Sequence, residues 1–395
     1  MSAPDPPVRK KVVILGSTGS IGTSALKVAR QIPEWMEVVG LAAGGRWKKL
    51  AAQTREFGVR EVAVSDQTAA GKLREAVPAR TNIGVGPEGL LELATLPEAD
   101  LVLVAIVGTA GLRPALAAIE AGKDIAVASK EILVLAGEVV MGAARAAGVN
   151  VLPVDSEHNA VFQCLDGRSA DRAAVRRLLL TASGGPFRTA PPEALEKVTV
   201  EEALAHPTWD MGPKISIDSA TMFNKGLEMI EARWLFGVEM SRVEVVVHPQ
   251  SIVHSMVEFV DGSVLAQMST TDMCFPIQYA VTWPRRVAQA LPPLDFESLG
   301  RIEFEAPREE VFPALRLARE AGERCGTMPA VMNAANEMAV EAFLAGRLSF
   351  PGIWRTVEAV MARHQARVGP GLEELLDADV AARRMAEELI AGWRP

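Results

Sequence analysis

The first 154 residues alternate short apolar runs with segments of helical periodicity. Short β-branched runs bounded by glycine or polar residues are typical of buried strands, and apolar spacings of three and four indicate amphipathic helices. Alternation of the two predicts a mostly parallel, doubly wound sheet and an α/β fold. We predict strands at residues 12–15, 37–43, 61–65, 82–85, 101–106, 124–128 and 149–154.

The pattern changes beyond residue 159. Strand signals at 178–181, 243–247, 252–259 and 264–268, with a hairpin turn at Asp261-Gly262, predict an α+β region with antiparallel pairing. Residues 283–307 are rich in proline and arginine without a clear period, as in a linker. Residues 311–394 return to helical spacing, including 330–345, and show no strand signal. A small helical bundle is expected there.

Length and charge limit the classes of function. A chain of 395 residues is expected to form two or three domains. Its net charge of -8, without any basic stripe, argues against a nucleic-acid partner. An anionic ligand must therefore be held by a local cluster of donors.

The chain also lacks the marks of secretion or membrane insertion. Residues 1–11 contain no apolar core of a signal peptide, and the longest apolar run, 101–107, is too short to span a bilayer. The three cysteines are widely spaced and outside any C-x-x-C pattern, so we expect three buried thiols in a reducing compartment. A cytoplasmic protein with no membrane partner is predicted.

A glycine-rich loop follows the first strand. Gly16, Gly19 and Gly22 have the spacing G-x-x-G-x-x-G and precede a helical segment at 23–32. Glycines in such a loop let the backbone approach a pyrophosphate, which lies against the helix amides. The alternative is a glycine turn without a ligand, because this spacing is less specific than G-x-G-x-x-G.

The second strand is followed by cations instead of an acid. An NAD site usually has an Asp or Glu here to bind the ribose hydroxyls. This chain has Gly44-Gly45-Arg46-Trp47-Lys48-Lys49. Arg46 and the lysines could meet a 2'-phosphate, so NADP is favoured over NAD. For at least one of the two lysines, a solvated helix face is the stronger interpretation.

Polar side chains follow later strands of the predicted parallel sheet. Lys130 comes after the strand at 124–128, and Asp155 and Glu157 come after the strand at 149–154. Ligands bind beyond the carboxyl ends of such strands, and two acids two residues apart on extended backbone point to one side. A hard divalent cation is their natural partner. Helix capping or solvation of these acids is the alternative.

The middle region contains two further candidate segments. Ser183 with Gly184 and Gly185 could cradle an anion. The stretch 206–214 has neither strand nor helix period and contains Trp and Met, as in a lid that excludes water. A packed surface loop is the alternative for that stretch.

One helical face in the middle region combines a cation, an amide and an acid. Asn224, Lys225 and Glu228 lie three and four residues apart, and Ser219 lies near the predicted helix start. Such a face could bind phosphate and metal side by side, although a solvated Lys–Glu pair has the same spacing. The polar run 333–337 is expected to buttress another domain.

Taken together, these segments resemble the 1-deoxy-D-xylulose 5-phosphate reductoisomerase family. The resemblance implies a metal- and NADPH-dependent retro-aldol and aldol rearrangement, then reduction, giving 2-C-methyl-D-erythritol 4-phosphate in the non-mevalonate isoprenoid pathway. It implies a homodimer with a Rossmann-like NADPH domain at 1–154, a catalytic and dimerisation domain at 155–282 with a flap at 206–214, a linker at 283–310 and a helical bundle at 311–395. The motifs that carry it are 16–22, 108–112, 129–131, 153–159, 182–186, 206–214, 219–231, 248–255 and 333–337.

The resemblance also implies roles for individual residues. The ligands of Mg2+ or Mn2+ would be Asp155, Glu157 and Glu228. The catalytic residues would be these three with Lys130 and His206. The substrate, a phosphorylated sugar, would contact Lys130, Ser156, Glu157, Ser183, His206, Trp209, Met211, Ser219, Asn224, Lys225 and Glu228. NADPH would contact Gly16, Thr18, Gly19, Ser20, Ile21, Gly44, Gly45, Arg46, Ser129, Glu131 and Gly212.

The chain departs from the common family pattern in a few places. Ser129 stands where Asn is usual, Phe223 where Met is usual, and Thr271 where Pro is common. Gly45-Arg46 replaces a polar pair. The departures at Ser129 and at Gly45-Arg46 concern cofactor contacts, and none of the departures touches the three acids. Two other functions stay open: a different NADP-dependent oxidoreductase, or a catalytically silent NADPH-binding regulator.

Overall fold

The computed structural model describes residues 9–165, 173–209, 211–288 and 290–392. Asp210 of the predicted flap lies outside these ranges. So do residues 1–8 of the predicted NADPH domain and residues 393–395 of the predicted helical bundle. The strands in this part of the chain are β1 Lys10–Leu15, β2 Met36–Ala42, β3 Glu61–Val64, β4 Asn82–Val85, β5 Leu101–Val104, β6 Asp124–Val127, β7 Val151–Pro153, β8 Val175–Ala182, β9 Val243–Val247, β10 Val253–Phe259 and β11 Val264–Met268.

Helices occupy most of the intervening chain. The longer ones flank both sheets, and the last four follow one another at the carboxyl end. They are α1 Ser20–Gln31, α2 Trp47–Phe57, α3 Gln67–Arg74, α4 Gly86–Ala94, α5 Leu112–Glu120, α6 Lys130–Ala147, α7 Ser156–Cys164, α8 Val200–Leu204, α9 Pro213–Ala220, α10 Phe223–Phe236, α11 Cys274–Thr282, α12 Phe296–Leu299, α13 Ala314–Arg324, α14 Met328–Leu344, α15 Gly352–Arg363 and α16 Leu372–Gly392.

The chain divides into two compact units. Unit 1 consists of residues 1–132, 140–159 and 272–292. Unit 2 consists of residues 133–139, 160–271 and 293–395. Unit 1 contains the seven-stranded sheet, and unit 2 contains a four-stranded sheet and the carboxyl-terminal helices.

The sheet of unit 1 is parallel throughout, with strand order β4-β3-β2-β1-β5-β6-β7. The predicted doubly wound sheet is therefore confirmed. The order reverses direction at the neighbouring strands β1 and β5, which is where ligands bind in such sheets. Val12 to Leu15 in β1 and the whole of β5 are buried, as expected for central strands covered by helices on both faces.

The sheet of unit 2 is mixed. Its order is β11-β10-β8-β9; β10 pairs antiparallel with β8 and with β11, and the turn at Asp261-Gly262 connects β10 to β11. The predicted antiparallel pairing is wrong for β8 and β9, which are parallel. The reason is the long helical connection of α8 to α10, which lets β9 return beside β8 in the same direction.

The carboxyl-terminal helices form the bundle that the apolar period predicts. Phe350 lies at the centre of this packing, with edge-on ring contacts to Phe343 at 5.7 Å and Trp354 at 5.5 Å. The preceding segment is more structured than a plain linker. It contains α12, and Glu305 forms an isolated antiparallel bridge with Val247 at the end of β9. The proline- and arginine-rich composition hid this pairing because a single bridge has no periodic signal.

The three cysteines are free thiols, but only Cys274 is buried. Cys164 and Cys325 are partly exposed, so the prediction of three buried thiols is wrong for these two. Burial, together with the neighbouring Asp272 carboxylate, raises the pKa of the Cys274 thiol to about 12. Its reactive thiolate is therefore scarce at neutral pH. None of the helices described in the structure has the length and apolar character needed to cross a membrane.

Substitution of Gly22 tests how closely the glycine loop packs on α1. A Cβ on Gly22 would lie 2.3 Å from the Gly16 carbonyl oxygen and 2.5 Å from the Ser17 Cα, both backbone atoms. We expect Gly22→Ala to lower the free energy of unfolding by about 1–3 kcal/mol. Gly71→Ala is the control, because Gly71 lies in α3 and a Cβ there would have no atom within 4 Å. Urea unfolding of both variants measures the effect, and equal stabilities would contradict this packing.

Candidate active site

The loop after β1 is shaped for a phosphate group. Gly16 has φ +99° and lies so close to the chain after β5 that a Cβ would be 2.4 Å from the Ala105 carbonyl oxygen. The loop is fixed to α2, since the Ser17 hydroxyl donates to Gln53 at 2.8 Å and the Gln53 amide donates to the Ser17 carbonyl at 3.0 Å. Helix α1 begins at Ser20, so the amides of residues 18–21 lie at the positive end of its dipole.

The loop after β2 supplies cations near the same segment. Arg46 Nη1 donates to the Thr18 carbonyl oxygen at 3.2 Å, and Lys49 Nζ donates to the same oxygen at 3.0 Å. Gly44 and Gly45 are exposed, and a Cβ on either would have no atom within 4 Å. The loops after the two adjacent strands therefore leave open space lined by amides and cations.

Two residues predicted to contact the cofactor, Ser129 and Glu131, follow β6. The Ser129 hydroxyl lies 3.2 Å from the Gly108 carbonyl oxygen and 3.0 Å from Glu131 Oε2. Ser129 and Glu131 are buried. These contacts join the loops after β5 and β6. They place the predicted residues Ser129 and Glu131 together at the carboxyl edge of the sheet.

Lys130 and Asp155 form an ion pair at the same edge. Lys130 Nζ lies 2.8 Å from Asp155 Oδ2, and the side chains are 8% and 14% exposed. The Ser156 hydroxyl donates to Glu157 Oε2 at 2.5 Å. The extended backbone assumed for these acids is wrong, because β7 ends at Pro153 and α7 begins at Ser156. Asp155 precedes the helix and Glu157 lies in its first turn.

In unit 2, Ser183 is held as a hydrogen-bond donor. The Gly185 amide donates to Ser183 Oγ at 3.2 Å, and His206 Nε2 lies 3.0 Å from the same oxygen. His206 Nδ1 accepts from the amides of Thr208 and Trp209 at 3.2 and 3.0 Å. Because Nδ1 is an acceptor, the proton of neutral His206 is on Nε2, which therefore donates to Ser183. The Ser183 hydroxyl hydrogen is then directed to a further acceptor.

The predicted flap packs on the loop before β10. Thr208 Oγ1 lies 3.3 Å from Ser251 Oγ, and the Trp209 ring centroid lies 6.5 Å from that of His254. Met211 is partly exposed and Gly212 is exposed. The predicted loop ends earlier than expected, because α9 begins at Pro213 and includes Lys214. Proline is favoured in the first helical turn, since its missing amide hydrogen has no partner there.

A break in the helix separates two predicted phosphate ligands. Ser219 lies at the end of α9, not at the start of the following helix as predicted. Met222 precedes α10 with φ +68°, the left-handed conformation that bulky residues rarely adopt. Gly185, also with positive φ, fits beside this break, where a Cβ would be 2.8 Å from the Ser219 carbonyl oxygen. The Ser183 loop and the Ser219 turn are therefore in direct contact.

The predicted polar face of α10 is confirmed. Asn224 Nδ2 donates to Glu228 Oε1 at 2.6 Å, and Lys225 Nζ pairs with Glu228 Oε2. Lys225 and Glu228 are buried, so this pair is not a solvated surface pair. The face presents an amide, an ammonium group and a carboxylate from one helix turn.

Sequence reasoning missed Asp218. This buried carboxylate accepts from Lys214 Nζ at 2.6 Å and from Asn336 Nδ2 at 2.8 Å. It therefore joins α9 to α14, and Asn336 supports the helix that carries Ser219. The run 333–337 was expected to buttress another domain, but both helices lie in unit 2, so this contact is within one unit. The i,i+4 spacing of Lys214 and Asp218 was a signal, but the flap assignment placed Lys214 in a loop.

Three family models match consecutive parts of the chain. One describes 1-deoxy-D-xylulose 5-phosphate reductoisomerase and covers residues 12–137. Two describe C-terminal domains of the same enzyme and cover residues 151–236 and 268–385. The chain belongs to the 1-deoxy-D-xylulose 5-phosphate reductoisomerase family.

Relatives in this family match over nearly their whole length. The reductoisomerase of Symbiobacterium thermophilum is 55% identical over 386 residues, covering 96% of this chain and 99% of the relative. That of Pelotomaculum thermopropionicum is 52% identical over 383 residues, covering 96% and 98%. The family resemblance expected from the motifs is confirmed.

Solved reductoisomerase structures have the same fold. The Zymomonas mobilis enzyme in complex with NADPH superposes with a TM-score of 0.91 at 43% identity, covering 97% of this chain and 99% of that one. A complex with NADPH, fosmidomycin and magnesium superposes with a TM-score of 0.90 at 41% identity, covering 97% and 98%. The predicted fold class is therefore confirmed.

The buried pair on α10 predicts a measurable stability effect. Lys225→Met leaves the Glu228 carboxylate without its cation, and breaking a buried pair from one side costs about 3 kcal/mol or more. We expect a lower urea midpoint, with much of the loss recovered in Lys225→Met/Glu228→Gln. Arg347→Met, which breaks the exposed pair with Glu387, is the control and should change little. A Lys225→Met midpoint equal to wild type would show that the pair does not stabilise α10.

Proposed function

We propose that this chain converts 1-deoxy-D-xylulose 5-phosphate to 2-C-methyl-D-erythritol 4-phosphate in the non-mevalonate isoprenoid pathway. It is an NADPH-dependent oxidoreductase that requires a divalent metal ion. The observation that carries the proposal is the family match across residues 12–385, with every predicted metal and phosphate position occupied by a suitable residue. The domain roles and site residues expected from the sequence belong to this proposal.

The residues of unit 1 fit NADPH. The amides of Ser20 and Ile21 lie in the first turn of α1, at the end suited to the pyrophosphate, and the open space at Gly44 and Gly45 is suited to the adenosine ribose. Arg46 lies beside this space, and the loop after β2 contains no acid that would repel a 2'-phosphate. Ser129 and Glu131 complete the proposed cofactor contacts of unit 1, and Gly212 of unit 2 is the remaining residue assigned to the cofactor.

The proposed metal ligands fit a hard divalent ion. Asp155, Glu157 and Glu228 offer carboxylate oxygens, the ligand type that Mg2+ and Mn2+ prefer. Asp155 and Glu228 are each paired with a lysine in a poorly exposed position, so each places a carboxylate beside a cation. When bound, the metal supplies Lewis acidity toward the carbonyl and hydroxyl oxygens of the substrate, and NADPH supplies the hydride.

The phosphate ligands orient the substrate. Ser183 offers a hydroxyl group, and Ser219, Asn224 and Lys225 add a hydroxyl, an amide and an ammonium group. Binding energy from this remote group holds the reacting carbons in position, which raises the rate without a covalent nucleophile. Closure of the flap residues His206, Trp209 and Met211 excludes water from the bound substrate.

Lys130 has a distinct role. Its ammonium group lies against Asp155 Oδ2, beside Ser156 at the start of α7. In this position it polarises the substrate oxygen that Ser156 also contacts, and stabilises negative charge that develops there. Because its ammonium group is paired with Asp155, we assign Lys130 the role of a positive charge beside this oxygen.

Two other functions make different predictions. Another NADP-dependent oxidoreductase would need neither the three acids nor a phosphate cluster, so its reaction would be independent of metal. A silent NADPH-binding regulator would tolerate loss of these residues, yet all of them are present. We also propose a cytoplasmic location, Mn2+ as an alternative metal, and a homodimer.

Glu228→Gln tests the proposed metal site. We expect turnover to fall about 100-fold or more, because a neutral amide cannot replace the anionic ligand. NADPH affinity should not change, because the proposed cofactor contacts lie elsewhere. NADPH fluorescence titration and steady-state oxidation measure the two effects, with the exposed Glu239→Gln as control. Wild-type turnover in Glu228→Gln would remove Glu228 from the metal site.

The edge of the unit 2 sheet suggests where the homodimer forms. Strand β11 is the end strand, and its Val264 and Leu265 are about half exposed. Such an edge is suited to pairing with a second copy. We expect a sedimentation mass of twice 42.2 kDa, and a shift toward monomer in Val264→Lys but not in Val380→Lys, which alters another exposed valine. A monomeric wild-type protein would contradict the homodimer.

A further inference from the structure

We propose that Lys49, with Arg46, binds the 2'-phosphate of NADPH and thereby sets the preference for NADPH over NADH, whereas Lys48 takes no part. The inference rests on the proposed function, because it assigns residues of this chain to its cofactor. It assigns different roles to Lys48 and Lys49, which the sequence alone does not distinguish.

The geometry distinguishes Lys49 from its neighbour. Lys49 Nζ lies 3.0 Å from the Thr18 carbonyl oxygen and 2.8 Å from Thr23 Oγ1, so it reaches the glycine loop and the start of α1. Arg46 Nη1 approaches the same carbonyl oxygen at 3.2 Å. Lys48 Nζ instead lies 5.6 Å from the centroid of the Trp47 ring, a cation–π distance.

Helix periodicity explains the difference. Lys49 and Gln53 are four residues apart and share one face of α2. Arg46, the residue before α2, reaches the same Thr18 carbonyl oxygen as Lys49. Gln53 forms two hydrogen bonds with Ser17 and so holds this face of α2 against the glycine loop. Lys48 precedes Lys49 by one position, which rotates it by about 100° around the helix. It therefore lies on a different face of α2 from Lys49.

The charge arrangement points to an anion. Arg46 and Lys49 lie at the amino-terminal end of α2, where the helix dipole is positive, and the first turn contains no acid. Cations at this end are unfavourable without a compensating negative charge. Within the described ranges neither side chain forms an ion pair with a carboxylate. The oxygen on which both converge is neutral, so donors of both groups are available for a phosphate.

The neighbouring glycines provide room for the ligand. Gly44 and Gly45 are exposed with open space at their Cβ positions, directly before Arg46. A ribose placed there would direct its 2' substituent toward the Arg46 and Lys49 cations. A 2'-phosphate gains an ion pair with each of the two cations at this position, whereas a neutral 2'-hydroxyl gains no ion pair.

Equilibrium binding of NADPH and NADH to the full chain tests the inference. Lys49→Met should weaken NADPH binding about 10-fold or more, the loss expected for one charged hydrogen bond, and leave NADH binding unchanged. Lys48→Met is the matched control and should change neither affinity. Lys49→Arg should retain most of the NADPH affinity, because the charge is kept. Nicotinamide fluorescence and calorimetry measure the affinities without turnover.

The results that would overturn the inference differ from the result that would contradict the proposed function. Equal weakening of NADPH and NADH by Lys49→Met would show that Lys49 only shapes the glycine loop, and would overturn the inference. Loss of NADPH affinity in Lys48→Met would overturn it as well. Failure of the wild-type protein to bind NADPH would contradict the proposed function itself, and the inference with it.

Discussion

A poorly exposed carboxylate must be paired with a cation or a hydrogen-bond donor, and this constraint governs the structure on which the proposed chemistry depends. Asp155 is paired with Lys130, Glu228 with Lys225 and Asn224, and Asp218 with Lys214 and Asn336. Removing an anion from water without such partners costs several kcal/mol. Each pairing therefore fixes the position of a local element as well as its charge.

The three pairings have different consequences. At Lys130 and Asp155, the ends of two adjacent parallel strands are joined, because β6 leads into Lys130 and β7 into Asp155. At Glu228, three residues of one helix face are locked together. At Asp218, α9 is tied to α14, which holds the turn carrying Ser219. Unit 1 and unit 2 each therefore contain polar groups that are held by these pairings.

Much of this could be predicted from the sequence. Periodicity located the seven parallel strands of unit 1, because buried parallel strands are short apolar runs bounded by turns. The spacing of Asn224, Lys225 and Glu228 predicted one helix face, since i,i+3 and i,i+4 neighbours always meet on a helix. The glycine loop was clear because few residues other than glycine permit the approach seen at Gly16.

Other features depend on tertiary contacts and left no local signal. The parallel pairing of β8 and β9 depends on how α8 to α10 return the chain, and strand patterns do not encode direction. The break at Met222 is invisible because its left-handed backbone is imposed by packing, not by a glycine. The contact of Asp218 with Asn336, 118 residues away, is likewise absent from any local pattern. Lys48 and Lys49 became distinct only when Gln53 was seen to fix the orientation of α2.

The central claim is that this chain reduces its substrate only with a divalent metal present. The direct measurement is NADPH oxidation by the purified protein with 1-deoxy-D-xylulose 5-phosphate, in Mg2+ or Mn2+ and after addition of a chelator, with the product identified. We expect oxidation that yields 2-C-methyl-D-erythritol 4-phosphate, stops with the chelator and returns when metal is restored. Oxidation that continues in the chelator, or no oxidation despite NADPH binding, would contradict the account.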